Sequence, residues 1–222
     1  MTQHLGSAPI VSRHEPAWGP TLASAAGLAA PVVFVGTFTI AGAVQPGYDP
    51  LAMFVSELVN GPGGWVQRVS FVVTGVLVVV FATRVRAGLG PGRGPTALVV
   101  TLGALGLGLL GSGFFDTDPS TTAAPVTTRG LVHGLLGAVV FLAIPLSCLL
   151  LASHLRRSRR ARALQRWSFL AGLALVVVTV AFKLSELPGS PLLPVKGLVQ
   201  RVDLIVWFSW LFTLAASMIR RA

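Results

Sequence analysis

The chain has 222 residues, 53% of them hydrophobic and only 11% charged, with a mean hydropathy of +0.78. No water-soluble domain of this size could cover that composition with a polar surface, so a soluble globular protein is excluded. A net charge of +10 and a pI near 11.7 would indicate nucleic-acid binding in a soluble chain, but the arginines here collect in the segments between apolar stretches, as orientation signals do.

Residues 1–19 mix Ser, Pro, His and Trp without helical periodicity and read as a flexible cytoplasmic leader, ahead of a single membrane domain over 20–222. A helix needs about 20 apolar residues to cross the hydrocarbon. Six windows meet or approach that length, roughly 20–44, 65–85, 95–115, 130–152, 167–184 and 199–219. Continuous runs such as Val76–Val80 and Leu149–Leu151 do not fit the alternation of a β-barrel strand. The predicted fold is therefore an all-α bundle of six transmembrane helices. Ala41-Gly42-Ala43 resembles a signal-peptidase site, but the long leader and the length of the first span fit a retained helix better.

In the first connection, Asp49-Pro50 supplies a helix start and Asn60-Gly61 a stop. Between them Leu51, Phe54, Val55 and Leu58 repeat on one face, against Met53, Ser56, Glu57 and Asn60 on the other, which predicts a short interfacial helix with Glu57 turned from lipid. Val66-Gln67-Arg68-Val69 recurs as Val199-Gln200-Arg201-Val202 at the start of the sixth span, where two independent snorkelling arginines are the simplest account. In the third span Gly106-x-Gly108-x-x-Gly111 has the letters of a dinucleotide fingerprint, yet it lies inside an apolar span with no preceding strand. Ala104, Gly108 and Ser112 make instead a small-residue stripe for close helix packing.

Asp116-Thr117-Asp118-Pro119-Ser120 begins like a calcium loop, but Thr121 stands where glycine is needed and Thr127 where the terminal glutamate is needed, so a turn plus helix cap is expected. The fourth span carries His133 in an otherwise apolar stretch, with Arg129 four residues earlier on the same face. That imidazole could accept a proton for chemistry, relay one for transport, or form a strut to Asp116 or Glu57. Cys148 reads as a small buried apolar side chain, and a single cysteine forms no intramolecular disulfide. Arg156, Arg157, Arg159, Arg160, Arg162 and Arg166 follow the fourth span, and Trp207 and Trp210 of the sixth read as packing residues.

Twelve of the seventeen Arg and Lys residues fall on the side of the termini, which by the positive-inside rule places both ends in the cytoplasm of a cell-membrane protein. Six of the seven carboxylates then lie at the outer side. Asp49, Glu57, Asp116, Asp118, Glu186 and Asp203 meet Arg68, Arg129, Lys183, Lys196 and Arg201 there. Charges within a turn of a span's end are expensive unless paired or wet, so a shallow polar basin is expected, unless the charges form an ion-pair network that only clamps the bundle. Its candidate residues are Ser56, Glu57, Arg68, Asp116, Asp118, Arg129, His133, Lys183, Arg201 and Asp203. His4 and His14 lie in the leader and His154 on the inner side, so no histidine-rich zinc site is expected, no other cofactor is implied, and no G-x-S-x-G elbow is present.

Four stretches carry a resemblance to a known family. They are Ser56-Glu57-Leu58 followed by Gly64-Trp65-Val66-Gln67-Arg68, then Gly113-Phe114-Phe115-Asp116, Val132-His133-Gly134 and Gly197-Leu198-Val199-Gln200-Arg201. The pattern resembles the bacterial membrane family designated domain of unknown function 998, over nearly the whole chain after residue 20. The resemblance implies a polytopic bacterial membrane protein and leaves its activity open. Composition and charge favour binding of a lipid headgroup or small polar ligand in the basin, with membrane lipids as partners and no nucleic acid. A membrane-embedded hydrolase or transferase with a His/carboxylate site and a small-solute or proton-linked transporter are the alternatives. The middle portions of all six spans carry no ionisable group but Cys148, which weighs against a proton relay.

Overall fold

A computed structural model describes residues 18–120 and 126–219. Among them are six long helices and no strand: α1 Trp18–Val44, α2 Gly64–Leu89, α3 Arg93–Ser112, α4 Thr128–Leu155, α5 Arg162–Ser185 and α6 Lys196–Ile219. All six are long and apolar enough to cross a membrane, and the chain is a multi-pass membrane protein. The leader expected over 1–19 lies outside the described residues except for its end, where α1 has already begun.

Each helix packs on its neighbours in sequence, and α6 returns to α1 to close a ring. The inside is rich in aromatic side chains. Phe34 lies 5.3 Å from Phe71 and 5.2 Å from Phe208, measured between ring centroids. Trp207 and Trp210 are fully buried, and their indole N–H groups donate to Ser147 on α4 and Ser168 on α5, so they join helices as packing residues. The outside is the reverse of a soluble protein: Ile40, Leu107, Leu142 and Val177 are all more than 60% exposed. Such a rim is costly in water and needs an apolar surrounding.

Glycine sets two of the helix contacts. A Cβ on Gly75 would meet the Gly106 carbonyl oxygen at 2.5 Å, so α2 and α3 touch backbone to backbone. Gly108 of the predicted small-residue stripe faces α4, where a Cβ would lie 2.8 Å from Val140 and 3.2 Å from the Leu136 carbonyl oxygen. The stripe therefore packs as expected, while the Gly75–Gly106 contact falls on the opposite side of α3.

The helices alternate in direction, so the α1–α2, α3–α4 and α5–α6 connections share one end, here called the carboxylate-rich end. The α2–α3 and α4–α5 connections share the other, arginine-rich end. At the arginine-rich end the guanidinium of Arg84 donates to the Ser24 hydroxyl at 3.2 Å and to the Met218 carbonyl at 3.2 Å, tying α2 to α1 and α6.

The short helix of the first connection is a 3-10 helix over Val55–Asn60. It starts later than the Asp49-Pro50 signal predicts, because Asp49 caps a local turn instead, accepting from the Leu51 N–H at 2.8 Å. Val55, Ser56, Glu57, Leu58 and Val59 are all buried, so both faces of this helix are covered by protein. The segment sits over the end of the helix ring as a plug.

Candidate polar site beneath the plug

Groups on α6, α2 and the α3–α4 connection fasten the plug. Arg201 of α6, 9% exposed, donates to the Pro50, Met53 and Gly197 carbonyls at 2.6, 3.0 and 3.0 Å and bonds to the Tyr48 hydroxyl. Its guanidinium also lies over the Phe38 and Tyr48 rings, at 5.9 and 5.4 Å. The arginine expected to snorkel is thus a buried clamp, because the plug brings carbonyl oxygens down to it. Burial raises the Tyr48 hydroxyl above its ordinary value, so it remains protonated at neutral pH and can serve the clamp.

Arg68, at the matching position of α2, grips the other side of the plug through the Val59 carbonyl at 3.1 Å. The same guanidinium makes a two-pronged pair with Asp116, at 2.7 and 3.1 Å. Those hydrogen bonds hold the Asp116 carboxyl below the usual carboxylate range. Glu57 belongs to the plug itself and is 1% exposed. Its carboxylate accepts from the Phe54 N–H at 2.9 Å, the Ser120 N–H at 2.9 Å and the Ser120 hydroxyl at 2.7 Å, which latches the plug to the α3–α4 connection. Lys196 adds a bond to the Ser120 hydroxyl at 2.8 Å and lies 4.9 Å above the Phe54 ring.

The remaining candidates separate. Asp118 accepts from the Thr127 N–H and hydroxyl at 2.8 Å each, and Thr127 in turn caps α4 by accepting from the Gly130 N–H at 3.0 Å, so this loop is the turn and cap predicted for it. Arg129 is exposed and donates to the Phe114 carbonyl at 2.8 Å. Lys183 pairs with Glu186 on the surface at 2.8 Å. Asp203 is fully buried in the wall between α5 and α6, with one oxygen accepting from the Thr179 hydroxyl at 2.9 Å and the other without a protein partner among the described residues.

Under the plug is a small cavity lined by Val55 and Ser56 of the plug, His133 and Phe141 of α4, and Gln200 and Leu204 of α6, with Phe34 and Phe71 behind. About 40 Å³ is open to the centre of a water-sized molecule, room for one or two waters or one small polar group. His133 does not reach Asp116 or Glu57; its Nδ1 donates to the Phe115 carbonyl oxygen at 2.7 Å. A carbonyl only accepts, so the proton sits on Nδ1 and the neutral ring keeps its lone pair on Nε2. Phe71 meets the imidazole edge-on at 6.0 Å and fixes its plane. Gln200 Oε1 accepts from the Val55 N–H at 2.7 Å, which leaves the amide N–H₂ unused. Among the described residues, neither that nitrogen nor Ser56 Oγ nor His133 Nε2 has a protein partner.

Gln200 is the cavity residue that the charge argument passed over, since a neutral amide adds nothing to a charge count. Its signal in the sequence was the repeated Val-Gln-Arg-Val. Gln67, the amide of the other copy, is also buried, and both of its polar atoms lack a protein partner among the described residues.

A family model described as a protein of unknown function, DUF998, matches residues 28–217. The chain belongs to the DUF998 family. No curated protein and no solved structure matches it. The matched region takes in α2 to α5 whole, most of α1 and α6, and every residue of the plug and cavity.

Proposed function

We propose that this protein binds a lipid headgroup, or a small polar ligand of the same hydrogen-bonding character, in the cavity beneath the plug. The observation that carries the reading is the trio Ser56 Oγ, His133 Nε2 and Gln200 Nε2, one hydroxyl, one acceptor and one donor, bordering one cavity without protein partners among the described residues. Polar atoms buried inside an apolar helix ring are costly unless something hydrogen-bonds them. The basin expected from the charges contracts in this reading to three neutral groups, with the charged residues holding the cover in place. The test is thermal unfolding in detergent with a panel of phospholipids and diacylglycerols. At least one class raises the midpoint of the wild-type chain and leaves that of the Ser56→Ala/His133→Ala variant unchanged; equal shifts in both proteins reject the site.

The arginine distribution supports a cell-membrane orientation with the carboxylate-rich end outside and both chain ends in the cytoplasm. An impermeant maleimide then labels a Pro188→Cys chain in intact cells and an Arg159→Cys chain only after permeabilisation. The reverse labelling order rejects the orientation.

One observation favours a second reading, hydrolysis or acyl transfer. Ser56 and His133 border the same cavity, and the Phe115 carbonyl sets the imidazole in the tautomer that accepts a proton on Nε2, as a base serving a serine must. Labelling of the wild-type chain by a lipophilic fluorophosphonate, lost in both Ser56→Ala and His133→Ala, supports this reading over simple binding. Absence of labelling in a folded wild-type chain removes it.

A further inference from the structure

At the arginine-rich end, α4 and α5 are pressed together where Gly172 faces Leu149 and Cys148; a Cβ there would lie 2.6 Å from Leu149 Cδ2 and 3.3 Å from Cys148 Cβ. Toward the helix ends the pair spreads into a groove of about 430 Å³, lined by Leu149, Ala152, Ser153, Arg156, Gln165 and Phe169. Its floor is apolar, with Leu149 and with Phe169 46% exposed, and its mouth is polar, with Arg156, Ser153 and Gln165. That is the order of groups along a phospholipid, acyl chain below and phosphate above.

The charge around the mouth is uncompensated among the described residues. Arg157, Arg159, Arg160, Arg162 and Arg166 are exposed beside Arg156, and the two ion pairs found among the described residues, Arg68–Asp116 and Lys183–Glu186, both lie at the opposite end. Every carboxylate among the described residues is at that opposite end or in its half of α6. A neutral headgroup leaves this field unanswered, whereas a net-negative one answers it directly.

We infer that the α4–α5 groove is a binding site for an anionic phospholipid, whose phosphate is held by Arg156 with Ser153 and Gln165 and whose acyl chain lies against Leu149 and Phe169. The site is independent of the cavity under the plug and shares no residue with it. Arg156 gives the phosphate a charged hydrogen-bond donor, and Gln165 offers amide donors from the facing helix. The neighbouring arginines raise the local concentration of negative headgroups around it.

The full chain, purified in a neutral detergent and titrated with phosphatidylglycerol, phosphatidylcholine of the same acyl chains, or inorganic phosphate, tests this by native mass spectrometry of retained lipid. Wild-type protein retains phosphatidylglycerol over phosphatidylcholine, and inorganic phosphate does not displace it. The Arg156→Gln/Gln165→Leu variant loses at least roughly fivefold of that preference, the effect of about one surface charge, while Arg93→Gln at the same end keeps it. Equal retention of both lipids, equal losses in the two variants, or displacement by inorganic phosphate overturns the site. These variants leave the cavity trio untouched, so failure here is distinct from failure of the proposed function.

Discussion

Glu57 and Asp203 are both buried carboxylates, and their surroundings give them different tasks. Glu57 receives three hydrogen bonds from two segments of the chain, so Glu57→Ala leaves buried donors unmet and should cost about 1–3 kcal/mol, read as a lowered unfolding midpoint in detergent. Glu57→Gln keeps an acceptor in place and should lose less. At Asp203 the single partner is a hydroxyl, which an amide oxygen can also accept from. Asp203→Asn should therefore unfold close to the wild-type midpoint, whereas Asp203→Ala strands Thr179 and falls below it by about 1 kcal/mol or more. The Arg68–Asp116 pair is part-exposed, and its contribution is under about 1 kcal/mol. Because the folded carboxyl is held below its ordinary value, the pair stabilises the chain above the unfolded value near 4 and loses that share as acid drives pH down through the folded value. The small difference in midpoint between wild type and Asp116→Asn at pH 7 should thus persist down to about pH 5 and close in stronger acid.

At the scale of elements, the contact between Gly75 and Gly106 governs how closely α2 and α3 approach. Gly106→Ala places a methyl 2.8 Å from Val79 Cγ2 and 2.9 Å from the Gly75 carbonyl oxygen. Overpacking of this kind costs about 1–3 kcal/mol, and thermal unfolding of the variant measures it, with Gly103→Ala, which meets open space, as the neutral control. The six spans were legible in the sequence because uninterrupted apolar length is itself the physical requirement for crossing lipid. The plug was legible only as a short helix: its periodicity promised one wet face, but Arg201, Gln200 and Arg68 supply partners from other helices that let both faces be buried. Such long-range partners leave no local trace. The charges at this end were correctly expected to need company, yet most found it as clamps, caps and surface pairs. The cavity groups were recognisable singly in Ser56 and His133, while Gln200 carried no charge to mark it.

For the whole molecule, the distribution of charge divides labour between the two ends of one helix ring. At the carboxylate-rich end ionic groups are spent on holding protein to protein, and the groups left unpartnered beside the cavity are neutral. At the arginine-rich end the cations of the α4–α5 turn have no ion-pair partner among the described residues. The two ends should differ in their response to ionic strength. Raising salt should weaken retention of anionic lipid through screening, while the midpoint set by the buried Arg201 clamp should change little.

The plug is written near the beginning of the chain, but Lys196, Gln200 and Arg201, which help to seat it, come almost at the end. Synthesis runs from the N-terminus, so Arg68 of α2 is at hand early for the Val59 carbonyl, whereas the Pro50 and Met53 carbonyls wait for Arg201 of the sixth helix. Until then the nascent protein is an unclosed arc of helices with an unseated cover. Chains terminated after α5 should be removed by quality-control proteases faster than the full chain.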